Sequence, residues 1–177
     1  MSKQWRQRTA FGFEVENWRM RPSVKTGLSF GLTSGVVTTL GPMVGLHAGT
    51  HSRTVVLSGI VTIAVADALS DAMGIHLSEE SKNGGSTIHI WESTVATFVG
   101  KLFIALSFVV PVLLAPLPTA VLVSVLWGLS LLALLSFVLA RAQRIAPWKV
   151  IGEHLVIALC VVTVSHYVGD WIQAWKW

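Results

Sequence analysis

Apolar residues run in five long blocks along the chain, at about 25–48, 54–78, 93–115, 118–140 and 150–171. Each is close to the roughly 20 residues a helix needs to cross a bilayer. Polar punctuation separates them: His47 to Arg53, Ser78 to Glu92, the Pro116-Leu117-Pro118 turn, and Arg141 to Lys149. The pattern predicts an all-α integral membrane protein with five transmembrane helices in one compact domain, 25–172. A segment 1–24 precedes it and a short tail, 173–177, follows.

The positions of lysine and arginine give the expected orientation, because basic residues concentrate in cytoplasmic segments. Lys3, Arg6, Arg8, Arg19, Arg21 and Lys25 precede the first span; Lys82 lies in the second loop; Arg141, Arg144 and Lys149 lie in the fourth. The other side has only Arg53 and Lys176. The N-terminus is therefore expected in the cytoplasm and the C-terminus outside. Trp91, Trp148, Trp171, Trp175 and Trp177 fall near the span ends, as an interfacial aromatic belt requires. Residues 1–24 hold Trp5, Phe11, Phe13 and Trp18 among charges, which suits an interfacial amphipathic helix or a basic tail. They do not resemble a cleavable signal peptide.

Composition agrees with this. Of 177 residues, 53% are hydrophobic and 12% charged, about half the charge of a soluble domain, and the mean hydropathy is +0.65. The excess of 13 basic over 9 acidic residues reads as topology rather than nucleic-acid binding. Cys160 is the single cysteine, excluding an internal disulfide, and is expected to be a small buried apolar residue.

The first helix carries glycine every fourth residue: Gly27, Gly31 and Gly35, then Gly41, Gly45 and Gly49. Such ridges let another backbone approach closely, which is how helices associate in lipid. Gly41-Pro42 is expected to kink or hinge this helix. Thr33, Ser34, Thr38 and Thr39 add hydroxyls.

The second helix contains Asp67 and Asp71, one turn apart on one face. A carboxylate inside a span costs several kcal/mol on insertion scales and marks a functional site by default. A small-polar stripe runs through Gly59, Ile63, Asp67, Ser70, Asp71, Gly74 and Ser78. Counting along both helices brings the aspartates to the depth of Thr33 and Ser34, in the inner third of the membrane. Oxygen ligands there suit hard or borderline divalent cations. Asp67, Asp71, Ser70, Thr33 and Ser34 are thus the candidate metal pathway. Lys101, at similar depth on the third helix, is a rival ion-pair partner, although one lysine does not balance two carboxylates.

Near the cytoplasmic face His76, Glu79, Glu80, His89 and Glu92 surround Gly84-Gly85 and form a candidate metal-capture site, or simply a solvated loop. Glu153 and His154 are expected to face Arg141 or Arg144. His166 and Asp170 join His47 and His51 near the outer face, as a release site, a proton site or solvated groups. No H-E-x-x-H, G-x-S-x-G or phosphate-cradling motif is present, and two aspartates on one helix suit cation handling better than an aspartyl hydrolase dyad.

Ser29-Phe30-Gly31-Leu32-Thr33 is similar to the Ser-Asp-Gly-Leu pattern of the vacuolar iron transporter family. Ala66-Asp67-Ala68-Leu69-Ser70-Asp71-Ala72-Met73-Gly74 is similar to its Ala-Gly-Ala-(apolar)-Ser-Met-Ala-(x)-Gly. Pro111 and Tyr167-Val168-Gly169 fit the same pattern, so 25–172 resembles that five-span family. Phe30 stands in place of its first-helix aspartate, Asp71 of a methionine ligand, and Ile75 of a glutamate. The family's glutamate-rich insert is reduced here to Ser81–Glu92. The resemblance implies a homodimer exporting ferrous iron or manganese from the cytoplasm, with Mn²⁺ or Fe²⁺ as cargo and no resident cofactor. Proton exchange is the expected coupling and a prokaryotic plasma membrane the expected location. The alternative is a non-transporting scaffold or regulatory protein that kept the fold, which Phe30 favours.

Overall fold

The computed structural model describes residues 21–82 and 86–175, so the expectations for 1–20 and for Gly84, Gly85 and Trp177 lie outside the described residues. Six α-helices account for nearly all of it: α1 (Pro22–Thr50), α2 (Arg53–Glu80), α3 (Thr87–Ser107), α4 (Val109–Leu114), α5 (Leu117–Gln143) and α6 (Pro147–Ala174). Taken with α4, α3 forms one apolar rod, so five rods of 27–29 residues are long and apolar enough to cross a membrane. Their outer surfaces are paved with exposed Leu, Val, Ile, Phe and Trp side chains, including Phe103, Leu114 and Trp148. Contiguous apolar surface on this scale has no place in water. Length and apolar surface together suggest an integral membrane protein.

The helices overrun the apolar blocks at most ends, and local chemistry explains where they stop. Pro22, Leu117-Pro118 and Pro147 open α1, α5 and α6, where a missing N–H costs nothing. Ser52 caps α2 by accepting from the Val55 N–H, and Ser86 caps α3 from the His89 N–H. The Ser86 cap starts α3 at Thr87 rather than near 93, so the second loop shrinks to residues 81–86. At the other ends His51 and Arg144 adopt left-handed φ values of 51° and 58°, turning the chain back sharply. Phe108 separates α3 from α4. Pro111 lacks the N–H that would bond to the Ser107 carbonyl, and the Phe108 N–H turns to the Ala105 carbonyl three residues back, at 3.2 Å. Pro111 therefore interrupts the third rod instead of ending it.

Helix α1 is the axle of the bundle. Along its first half Gly27, Gly31 and Gly35 lie against the α3 backbone at Ser93, Thr97 and Lys101. A β-carbon at Gly27 would stand 2.2 Å from the Ser93 carbonyl oxygen, and one at Gly31 2.5 Å from that of Thr97. Only glycine permits this approach, and Thr97 uses it to donate a hydrogen bond across to the Gly27 carbonyl, at 3.2 Å. Along the second half Gly41, Gly45 and Gly49 meet α6 at Val161, Ser165 and Gly169. The two glycine ridges thus serve two different neighbours. The helix continues unbroken through Gly41-Pro42, and Gly41 is occupied by packing against α6.

Helix α2 runs antiparallel to α1 and buries Val56, Ile60, Ala64, Ala68 and Ala72 at four-residue spacing. The core fills with Val36, Leu40, Met43 and Val44 of α1, Ile104 and Phe108 of the third rod, and Leu132 of α5. Helix α6 is the least enclosed, with only Ala158 and Gly169 buried. Cys160 lies exposed on its outer face, correcting the expectation of a buried thiol.

Candidate functional site: a lysine between two aspartates

Asp67 and Asp71 sit beside the buried alanine stripe of α2, at the edge of its contact with α1 and α3. The four-residue spacing of Gly27, Gly31 and Gly35 is matched on α3 by Ser93, Thr97 and Lys101, which locks the register of the two helices. That register sends Lys101 into the bundle toward α2. Its side chain is only 1% exposed, and it is among the largest fully buried side chains of the described residues.

Three oxygens converge on the Lys101 ammonium. Asp71 Oδ2 accepts a hydrogen bond from Nζ in a close ion pair. Asp67 Oδ2 lies 2.6 Å from Nζ but off the direction of a hydrogen bond, so that contact is a Coulomb attraction alone. Ser34 Oγ accepts from Nζ at 3.0 Å and donates to Asp71 Oδ2 at 2.7 Å, linking α1 to both. Two carboxylates and one ammonium leave the ionised cluster with one net negative charge. Lys101 is sealed, whereas the Asp67 and Asp71 side chains keep 28% and 20% of their exposure, so the cluster opens on the α2 side.

Other expected members lie elsewhere. Thr33 turns its hydroxyl back to its own helix, donating to the Ser29 carbonyl at 2.7 Å. Ser70 is exposed, as are Gly74 and Ser78, so the small-polar stripe splits: its aspartates and Gly59, which packs against Leu46, face the bundle, whereas Ser70, Gly74 and Ser78 face out. Ser70→Ala is expected to change stability by less than about 0.5 kcal/mol, as for surface positions generally, and to leave cation binding intact. Thermal unfolding with and without Mn²⁺ checks both. Phe30 is also exposed, on the outside of α1.

The candidate capture site is dispersed. Glu92 pairs with Arg21 and accepts from Ser23 at 2.6 Å; Glu79 pairs with Lys82 at 2.6 Å; His76 bonds Thr94 at 3.0 Å and packs edge-on against Trp91. His89 lies 3.8 Å from Glu92 and Glu80 is exposed. Glu79 and Glu92 each have a local basic partner, and among the described residues no group of three or more His, Cys, Asp or Glu side chains is arranged to hold a metal ion. Sequence spacing puts these residues at one end of the bundle, but helical direction turns them apart.

His154 does not face an arginine; it bonds Ser136 of α5 at 2.6 Å, while Glu153 is exposed without an ion pair among the described residues. At the opposite end the histidines do gather: His47 and His51 rings stand 5.3 Å apart, His51 contacts Gln173 at 3.3 Å, and His166 reaches Asp170 at 3.4 Å.

No protein-family model matches the chain, and no curated protein matches it.

Proposed function

We propose that this protein is a membrane transporter for a divalent cation, manganese or ferrous iron, which it exports from the cytoplasm with protons as the exchanged ion. The observation that carries the reading is the convergence of Asp67, Asp71 and Ser34 oxygens on one cationic centre inside a bundle of membrane-spanning length. Charged groups at such depth are expensive and persist where they are used. Oxygen donors without sulfur or imidazole favour hard cations, so manganese fits better than softer metals.

In this reading the basic end of the bundle, with Arg21, Lys82 and Arg141, is cytoplasmic, and the histidine-bearing end faces outward. The membrane is a prokaryotic plasma membrane. The protein works as a homodimer, the assembly implied by the resemblance to vacuolar iron transporters. Proteoliposomes holding the full chain and a pH-sensitive dye test the exchange. Mn²⁺ entering down its gradient is expected to drive protons out and so raise the internal pH, and vesicles without protein show no such rise.

A second reading, a non-transporting scaffold, has its own observation. Lys101 already compensates much of the aspartate charge, and Phe30 of α1 brings no ligand. Vesicles that pass no Mn²⁺, Fe²⁺ or Ca²⁺ under a proton gradient would establish it.

A further inference from the structure

We infer that the Lys101 ammonium is a tethered cation that holds the cargo's place, so that a metal ion enters only by displacing it; the inference rests on the transport reading above. Three observations point there. The ammonium stands at the single point shared by Asp67 Oδ2, Asp71 Oδ2 and Ser34 Oγ, within 2.6 Å of the first and 3.0 Å of the last. A cation that accepted all three oxygens would have to lie close to the same point. The contacts are also unequal. Asp67 Oδ2 is buried, yet no donor points at it, so one of the two carboxylates is held by charge without a directed bond. A metal ion, which imposes no donor direction, satisfies that oxygen better than an ammonium does. Finally, Gly35 leaves room for the lysine stem: a β-carbon there would come within 3.3 Å of Lys101 Cγ.

The charge count selects the cargo class. With Lys101 in place the ionised cluster carries one net negative charge; with the ammonium withdrawn it carries two. A divalent ion neutralises the emptied pair completely, whereas a monovalent ion only restores the balance that lysine already gives. The tethered ammonium thus competes well against sodium or potassium and poorly against a divalent ion, because Coulomb attraction scales with charge. Selectivity for charge comes from the lysine, and selectivity for hard ions comes from the oxygens.

Mn²⁺ binding by calorimetry to the full-length protein in detergent tests this, with Lys101→Met removing the ammonium at nearly constant volume. The expected result is Mn²⁺ affinity at least about tenfold tighter in Lys101→Met than in the unsubstituted chain, the gain vanishing when Asp67→Asn is added. A second measurement uses the unsubstituted protein alone. Lys101, sealed without metal, should become reactive to an amine-acetylating reagent at saturating Mn²⁺, read by mass spectrometry of the Lys101 peptide. If Mn²⁺ binds and is carried but neither affinity nor labelling responds, the tethered-cation inference is overturned and transport stands. If neither form binds Mn²⁺, Mg²⁺ or Ca²⁺, both fall.

Discussion

Alanine at Gly31 is expected to push α1 and α3 apart and to lower stability by about 1–3 kcal/mol, the usual cost of overpacking a tight contact. The new methyl would stand 2.5 Å from the Thr97 carbonyl oxygen, which is backbone and cannot swing aside. Either the helices separate by several tenths of an ångström along their shared face, or the ridge slips. Both responses reach Lys101, one turn beyond Thr97 on the same face of α3. Gly31→Ala should therefore weaken cation binding as well as thermal stability. Gly74→Ala is the internal comparison: nothing lies within 4 Å of a β-carbon there, and helix propensity alone favours alanine. Thermal unfolding of the two variants in the same detergent checks the contrast.

Asp71→Asn is the second large effect. It removes the charge that pairs with the Lys101 ammonium and leaves a neutral amide oxygen as the weaker acceptor for that ammonium and for the Ser34 hydroxyl. Asp67 then remains as the one carboxylate paired with the lysine among the described residues, without a directed hydrogen bond. Breaking a fully buried ion pair from one side costs about 3–5 kcal/mol, but Asp71 retains a fifth of its exposure, so about 2 kcal/mol is expected. Asp67→Asn should cost less, since its contact with Lys101 is not a hydrogen bond. The order Asp71 above Asp67, measured by denaturation midpoints in detergent, separates a hydrogen-bonded network from a simple charge count.

The spans were legible because apolar runs and proline-marked turns are properties of the chain itself. Their ends were harder. Thr87 to Glu92 looks like polar punctuation, yet the Ser86 cap starts α3 there, and the Pro111 break hid inside an apolar run. Glycine spacing announced close packing without naming the partners. The matching Ser93, Thr97 and Lys101 spacing on α3 was the available signal for one of them. At the site, depth counting placed Ser34 and Lys101 correctly because rise along a helix is regular. It failed for Thr33 and Ser70 because neighbouring residues point about 100° apart, and depth alone ignores direction. At the end of the bundle the acids and histidines are not gathered into one group, because local partners engage several of them: Lys82 holds Glu79, Arg21 holds Glu92 and Thr94 holds His76.

The proposed passage of a divalent cation across the membrane through the Asp67–Asp71 pair is measurable as Mn²⁺ flux. The assay compares proteoliposomes holding the unsubstituted chain with others holding an equal amount of folded Asp67→Asn/Asp71→Asn protein. Saturable Mn²⁺ movement is expected in the first and only background leak in the second. Equal flux through both, or no flux through either, would contradict it.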